Sequence, residues 1–420
     1  MPTSSNRERP DVQALRTRRA PLARVRVLDF TWVWAGPFCT QLLADLGAEV
    51  IKVESARRTD NTRLGRLPDG TPKGLNRNAG HNQLNRGKLS INCDLSSPHG
   101  KEVILRLAAV CDVAVENFAP RVLPHLGLGY ERLAEANPNL IMLSMSGLGA
   151  SGPLRDTILY GNSQLAIAGM GSLLGYPGGP PENIAFAHGD PVNSYHAFYA
   201  ILAALWGRAC GRGGQHIELS QLEGLLATMA EGVLEYTLNG REPRRTGNQH
   251  PIMAPHNVYH GRELGSWLSI AVETDAEWEG LCAAMGGPDW ACESRFADRL
   301  SRWQNREELD ERVAAWVRQH EVHELAERLQ SHGVAAAAME TVQELVKDPH
   351  LAERDAFVEI DHPETGPRGA IGRPFRLGGS ALPPYRHAPL FGEHTERIMH
   401  DLLGYSVEEL AELREQSALR

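Results

Sequence analysis

Two features that would place a protein at a membrane or outside the cell are missing from this sequence. No apolar run reaches the length of about 18 residues that a transmembrane helix requires. The first twenty residues hold several arginines but no apolar core, so they do not predict a secretory signal. We predict a disordered tail over residues 1–21 and a cytoplasmic protein that does not bind a membrane.

Paired cysteines and basic charge are also lacking. The six cysteines are scattered, without a CxxC pair or a histidine at zinc-ligand spacing, which favours a reducing compartment and predicts no metal site. The net charge of −9 argues against nucleic acid as a partner, because its phosphates attract basic surfaces. Hydrophobic residues make up 42% of the chain and charged residues 23%, which is typical of a globular enzyme.

Short apolar segments alternate with helical patterns in the first half of the chain. Strands are predicted at VRVLDF, EVIKVE (49–54), DVAVEN, LIMLSM and HIELS, with helices between them at 130–136 and 195–210. Ser97 and Pro98 are typical of a helix start before KEVILRLAAV. Such alternation predicts an α/β fold with a parallel, doubly wound sheet.

The chain is too long for one hydrophobic core. Its 420 residues exceed the usual limit of about 250–300, so two domains are expected. We predict a large domain over 22–225, a smaller α+β domain over 226–344, and a return segment over 345–420 with loop and then helix character that packs on the large domain.

The small α+β domain is predicted to hold one strand and three helices. Residues 226–265 show no steady period, and WLSIAV is the best strand candidate. Helices are predicted at 275–285, 306–319 and 322–333, the last of them ended by Gly333. The inward positions of the second helix are Leu309, Val313, Trp316 and Val317.

Three loops follow predicted parallel strands and carry Gly, Pro and aromatic residues. They are TWVWAGP (31–37), ENFAPR (116–121) and SGLGASGP (146–153). Ligands of doubly wound sheets bind beyond the carboxyl ends of the strands, so these loops are expected to border one crevice.

An ordered set of motifs resembles a known family. VLDFTWVWAGPFCTQLLADLGAEVIKVE is followed by NRGKLSINCDL, VENFAP, LSMSGLGASGP, HGD, GRGGQHIEL and APLFGEHT. Over about residues 22–420 this series resembles the class III coenzyme A transferases of the formyl-, carnitine- and benzylsuccinate type. The related alpha-methylacyl-CoA racemases share many of the motifs. The resemblance implies a Rossmann-like large domain, an interlocked homodimer, and acyl-CoA and a free carboxylic acid as substrates.

The resemblance implies that Asp190 is the catalytic residue. The family's aspartate follows a small residue ahead of a long Ala/Leu-rich helix, which matches Gly189 and Asp190. In the family it attacks the thioester to give a mixed anhydride and then an aspartyl-CoA thioester. A carboxylate with an intrinsic pKa of about 3.9 is ionised at pH 7 and needs no base to activate it. The alternative explanation for Asp190 is structural: it would be an N-cap or first-turn residue of a helix that begins near Ser194.

Position 160 separates the transferase from its competitors. Tyr160 stands where the racemases carry a histidine, so the proton transfer that racemisation needs has no base there. Gly161 stands where formyl-type transferases carry a glutamate. His188 is interpreted as a solvent or capping group. A non-catalytic CoA-binding subunit of a heteromer is the third hypothesis, and the presence of Asp190 weighs against it.

Two tryptophans mark the expected acyl pocket. Trp34 stands where formyl-type transferases place a glutamine against the reacting acyl group, and Trp32 precedes it by two residues. The predicted substrate pocket consists of Trp32, Trp34, Tyr160, Gly161 and Gly189. We predict a bulky or apolar acyl group, whereas the ordinary explanation for both indoles is core packing.

Coenzyme A contacts follow from the resemblance as well. The family has an arginine where Ser55 stands, and we favour Arg57 as its replacement for the phosphates, with Arg121 as the next choice. Each of these arginines also has an ordinary explanation as a solvated surface charge. The predicted coenzyme contacts are Val33, Trp34, Ala35, Arg57, Lys88, Asn117, Phe118 and Arg121.

Overall fold

The computed structural model describes residues 20–66, 74–182, 184, 186–378 and 380–419. These residues form two compact units. The first unit takes the described residues of 1–170, 184–234 and 355–420, and the second takes those of 171–183 and 235–354. The predicted tail lies outside the described residues except for residues 20 and 21, and the domain boundaries drawn from the sequence stay predictions.

Six parallel strands form the sheet of the first unit, in the order β3-β2-β1-β4-β5-β6. Their bounds are β1 Arg26–Asp29, β2 Glu49–Glu54, β3 Leu89–Asn92, β4 Val113–Glu116, β5 Ile141–Ser146 and β6 Gln215–Ser220. The predicted parallel, doubly wound sheet is confirmed. Because the order of the strands reverses between β1 and β4, a crevice opens there at their carboxyl ends.

Eighteen α-helices are assigned among the described residues. They are α1 Ala35–Asp45, α2 Ala79–Asn85, α3 Pro98–Val110, α4 Val122–His125, α5 Tyr130–Ala136, α6 Gly161–Ile167, α7 Met170–Leu173, α8 Gly189–Ala209, α9 Gln221–Leu226, α10 Ala230–Asn239, α11 Asp275–Ala284, α12 Arg299–Gln304, α13 Arg306–Val317, α14 Val322–Ser331, α15 Val342–Lys347, α16 Pro349–Glu353, α17 Thr395–Arg397 and α18 Val407–Glu415. No helix in these ranges is both long and apolar enough to cross a membrane.

The parallel sheet is buried on both faces except at its edge strand β6, whose residues are half-buried or exposed. Val27 and Val50 point to the face covered by α1 and α8, whereas their neighbours Leu28 and Ile51 point to the face covered by α3. Side chains alternate between faces along a strand, so the sequence of a strand that is covered on both sides is a continuous apolar run. Helix α1 is almost wholly enclosed, since Phe38 is its only residue that is not buried.

The second unit holds an antiparallel sheet of three strands, β7 His256–His260, β8 Trp267–Ala271 and β9 Ala335–Ala338. Helices α11, α13 and α14 supply much of its apolar core. Leu309, Val313 and Val317 are buried in α13 as predicted, whereas Trp316 is half-buried and packs against this core. Gly333 follows α14 with φ of 78°, a conformation that suits glycine at a helix end.

Three sequence-based expectations about local structure were wrong. Helix α8 begins at Gly189, not near Ser194, so Asp190 lies inside its first turn. Strand β7 lies in the region where the sequence showed no steady period. The return segment, expected to be loop and then helix, contains an antiparallel hairpin of β10 Phe357–His362 and β11 Gly366–Ile371. Cross-strand pairing stabilises all three of these strands, β7, β10 and β11, and local periodicity does not report it.

Candidate active site

The loop from β1 to α1, residues 30–34, meets the loop that follows β4. The backbone N–H of Trp32 donates to Asn117 Oδ1 at 2.8 Å, and Asn117 Nδ2 donates to the Trp32 carbonyl at 2.9 Å. The Trp32 ring contacts the Phe118 ring edge-on at 5.4 Å. The structure therefore brings these two predicted loops together at the point where the strand order reverses.

Asp190 is a buried carboxylate to which no described residue supplies a counter-charge. Only 9% of the residue is exposed, and this burial raises its pKa to about 6. Among the described residues, none donates a hydrogen bond to its carboxylate or forms an ion pair with it. Its place in the first turn of α8 favours the anion. At pH 7 the group is mainly ionised and poorly hydrated, as a nucleophilic carboxylate needs to be.

Two glycines lie against Asp190. A Cβ atom on Gly161 would sit 2.8 Å from Asp190 Oδ2 and 2.4 Å from the Cβ of Ala187. A Cβ atom on Gly189 would sit 2.4 Å from Gln164 Oε1. Any side chain at either position must move its neighbours, so the carboxylate packs directly against the backbone at the start of α6. The glutamate expected at position 161 in formyl-type enzymes does not fit this arrangement.

An aromatic pair lies next to the β1–α1 loop. Trp34 contacts Phe186 edge-on, with ring centroids 5.1 Å apart and an interplanar angle of 85°. Phe186 precedes Asp190 by four residues and remains 45% exposed, so the pair presents an apolar surface on the approach to α8. Tyr160, directly before α6, is 59% exposed.

Ser194 links the loop to the helix that carries the carboxylate. Its hydroxyl oxygen lies 2.7 Å from the Ala35 carbonyl oxygen and 2.8 Å from the Asp190 carbonyl oxygen. Ser194 is fully buried, so both contacts are shielded from water. The start of α1 and the first turn of α8 are thereby held in one arrangement.

Buried amide side chains support the first turn of α8. Asn193 Nδ2 donates to the Gly189 carbonyl at 2.8 Å and to the Gln221 carbonyl at 2.9 Å. Gln164 Nε2 donates to Gln221 Oε1 at 2.6 Å. Sequence reasoning missed these three residues, because polar residues in helical segments are ordinarily solvated and only the fold reveals that they are buried.

Lys88 is enclosed by protein oxygens. Its ammonium lies 2.7 Å from Thr40 Oγ1, 2.8 Å from Asn85 Oδ1, and 3.0 Å from both Asp29 Oδ2 and the Pro37 carbonyl. Burial lowers its pKa to about 8. An ammonium has three donors, and these oxygens occupy them. Lys88 therefore braces the start of α1, and direct contact with coenzyme A would require it to leave these partners.

The Arg58 guanidinium lies over the Trp32 ring of the β1–α1 loop. Its Cζ lies 5.7 Å from the centre of the Trp32 ring. Arg57, the residue favoured from the sequence, turns away to donate to the Ser96 hydroxyl at 2.7 Å. Arg121 is exposed and paired with a carboxylate from the loop after β5. No sequence signal separates Arg57 from Arg58, because neighbouring side chains set the direction of each.

The doubly wound sheet, whose strand order reverses between β1 and β4, defines an α/β protein of the Rossmann-like class. The Asp190 carboxylate, which has no partner among the described residues, lies on the helix that Ser194 links to the start of α1. Residues 22–395 match the model of CoA-transferase family III. The chain belongs to this family, which confirms the resemblance seen in the motifs. The protein is an enzyme of this class, and the family implies a CoA thioester and a carboxylate as substrates.

Curated relatives match along nearly the whole chain. Succinyl-CoA–D-citramalate CoA-transferase of Chloroflexus aurantiacus is 36% identical, with 94% of this chain and 97% of the relative aligned. A formyl-CoA:oxalate CoA-transferase of Rhodopseudomonas palustris is 32% identical over 94% of this chain and 96% of its own. A CAIB/BAIF family protein from Brucella suis has a similar structure, with a TM-score of 0.82, 30% identity, and coverage of 92% and 100%.

Proposed function

We propose that the protein transfers coenzyme A from an acyl-CoA donor to a free carboxylic acid, with Asp190 as the covalent carrier. The observation that carries this proposal is the buried Asp190 carboxylate, which has neither a hydrogen-bond donor nor a counter-charge among the described residues. A structural aspartate at a helix start would cap backbone N–H groups, and among the described residues no backbone N–H donates to the Asp190 carboxylate.

The reaction proceeds in four displacements on Asp190. An Asp190 oxygen attacks the thioester carbonyl, and the C–S bond breaks to give a mixed anhydride and the coenzyme A thiolate. The thiolate attacks the aspartyl carbonyl, which releases the donor acid and leaves an aspartyl thioester. The acceptor carboxylate attacks this thioester, and the released thiolate then attacks the acceptor carbonyl of the new anhydride. Asp190 is regenerated with no net proton transfer, so the site needs exclusion of water more than an acid or base.

The acyl group is proposed to lie against the aromatic pair of Trp34 and Phe186. Their edge-on contact forms an apolar wall, which favours a bulky or apolar acyl group. Short dicarboxylic acyl groups are the second candidate, because the relative from Chloroflexus aurantiacus is named for succinyl-CoA and D-citramalate. A panel of succinyl, oxalyl, branched and aromatic acyl-CoA donors separates the two. Faster transfer of succinyl or oxalyl groups would reject the apolar pocket.

Coenzyme A is proposed to enter along the loops after β1 and β4. Asn117 and Phe118 contact the β1–α1 loop there, and Arg58 supplies an exposed guanidinium beside it. A guanidinium suits phosphate groups because it presents several donors in a fixed plane. We therefore favour Arg58 over Arg57 for the phosphates, with Arg121 as a further cation.

The family resemblance implies an interlocked homodimer, which we retain as a proposal. Tyr195, Tyr199 and Trp206 form an aromatic stripe on α8 and are 50%, 74% and 74% exposed. Their spacing of four and seven residues puts them on one face of the helix. Large exposed aromatics in a row are typical of a protein contact. Sedimentation of a Tyr199→Ser, Trp206→Ser double variant tests this, and an unchanged assembly size would reject the stripe as the contact.

Mapping the covalent intermediate tests the mechanism. The protein is incubated with an acyl-CoA, treated with hydroxylamine or borohydride, and digested for mass spectrometry. Modification at Asp190 is expected, and Asp190→Ala should remove both the modification and transfer while coenzyme A still binds. Exchange of the alpha hydrogen for deuterium without modification would favour the racemase. Binding without either reaction would favour a non-catalytic subunit.

A further inference from the structure

Val33 adopts a backbone conformation that its side chain disfavours. Its φ is 68°, in the left-handed region that β-branched residues rarely occupy. The residue lies in the β1–α1 loop, directly before Trp34. A strained conformation persists only where its surroundings impose it, and such residues concentrate at functional sites.

A buried ion pair holds the backbone on both sides of Trp32. Lys52 Nζ donates to the Thr31 carbonyl at 2.6 Å, and the Val33 N–H donates to Asp60 Oδ1 at 3.3 Å. Lys52 and Asp60 also pair with each other at 3.4 Å, and neither side chain is exposed. The intervening residue, Trp32, is fixed by the Asn117 amide. Three consecutive backbone positions, 31 to 33, are therefore held by side chains from outside the loop.

We propose that Asp60 is a positioning residue for the transfer reaction, acting through Val33 on the acyl side of the site. The left-handed turn at Val33 sets the direction in which the chain enters α1. It thereby places Trp34 against Phe186 and the Ala35 carbonyl against Ser194. Asp60 touches neither the proposed nucleophile nor the proposed acyl wall, so its effect on the reaction is indirect. This inference rests on the proposed function only in its choice of the acyl site.

The charges of Lys52 and Asp60 need an explanation other than stability. Desolvating two charges costs about as much as their attraction returns, and apolar replacements of such pairs are often neutral or stabilising. An apolar pair would leave the Thr31 carbonyl and the Val33 N–H without these partners. The ion pair therefore provides directed hydrogen bonds to the loop, which fix one geometry.

Variants at Asp60 and Val33 test the proposal through the rate of CoA transfer. Asp60→Ala is expected to lower kcat by about 10- to 100-fold, the effect of misplacing a reacting group by about 1 Å, while KM for acyl-CoA changes less than about threefold. Asp60→Asn keeps an oxygen that can accept from the Val33 N–H but loses the charge that pairs with Lys52, so its loss of kcat should be smaller. Adding Val33→Gly to Asp60→Ala should recover at least about tenfold in kcat, because glycine adopts a positive φ without being held.

Asp45→Asn is the matched control. Asp45 is a buried carboxylate paired with Arg86 at 2.8 Å at the far end of α1, remote from the β1–α1 loop. The Asp45→Asn variant should have a lower thermal stability than the unmodified protein but the same kcat. Equal losses of kcat in the Asp60 and Asp45 variants, or no recovery with Val33→Gly, would overturn the proposal. Should Asp60→Ala not fold, the kcat of Asp60→Asn is compared with that of Asp45→Asn instead, and a loss confined to Asp60→Asn supports the proposal. Adduct mapping in the unmodified enzyme tests Asp190 separately, so either idea can fail alone.

Discussion

Replacing Asp190 with asparagine should make the protein more stable while abolishing transfer. Burial raises the pKa of Asp190 from 3.8 to about 6, a difference of roughly two pKa units. At 1.36 kcal/mol per unit, the buried charge destabilises the fold by about 3 kcal/mol at neutral pH. Asparagine has nearly the same shape and no charge, so Asp190→Asn removes this cost and also the nucleophile.

The stability gained by Asp190→Asn should depend on pH in a characteristic way. A raised carboxyl pKa means that the native state holds the proton more tightly than the unfolded state does. The free energy of unfolding of the unmodified protein therefore falls as the pH rises from about 4 to 6. The advantage of Asp190→Asn should be about 3 kcal/mol at pH 7.5, about 1.5 kcal/mol at pH 5, and close to zero near pH 4.

Urea unfolding at pH 7.5 and pH 5, followed by circular dichroism, measures the difference. Glu412→Gln, an exposed carboxyl on α18, is the control and should change the free energy of unfolding by less than about 0.5 kcal/mol. An Asp190→Asn variant that is no more stable than the unmodified protein, or whose advantage is the same at both pH values, would refute the reasoning. Either result would mean that a partner neutralises the Asp190 charge in solution.

Three further predictions follow from the site. The rate of transfer should fall to half near pH 6 and about tenfold per pH unit well below it, because only the ionised Asp190 attacks; a profile of kcat/KM from pH 5 to 8 measures this. Gly161→Ala should lower kcat at least about tenfold, since its Cβ would lie 2.8 Å from Asp190 Oδ2. Gly213→Ala, which meets nothing within 4 Å, is its control and should retain activity. Arg58→Ala should raise KM for acyl-CoA by about tenfold with kcat little changed, and the same change at Arg57 should have a smaller effect; equal effects would contradict the choice of Arg58.

The sheet was predictable because most of its strands are buried on both faces and alternate with helices. The segment EVIKVE and the helical pattern at 130–136 coincide with β2 and α5 residue for residue. The true start of α8 also had a signal that the sequence reasoning did not use. Pro191 follows Asp190, and proline favours the first turn of a helix. By contrast, β11 contains two glycines and a proline, and only its pairing with β10 makes it a strand.

The candidate site was predictable only in part, for a physical reason. The loops that border it follow strand ends, and the topology of the sheet brings those ends together. The direction of a charged side chain is set instead by neighbours distant in sequence. Lys88 is surrounded by oxygens from α1 and α2, and Arg58 lies over Trp32 while Arg57 does not. Motifs and residue spacing do not predict contacts between side chains that are distant in the sequence.

Helix α8 carries both Asp190 and the aromatic stripe. Asp190 lies in its first turn and Trp206 near its last, about 24 Å apart at a rise of 1.5 Å per residue. A straight helix acts as a lever, so a tilt of about 5° imposed at one end moves the other end by about 2 Å, which exceeds the tolerance of about 1 Å for a reacting group. If the aromatic stripe is the subunit contact, a tilt of α8 imposed by assembly would shift the position of the Asp190 carboxylate.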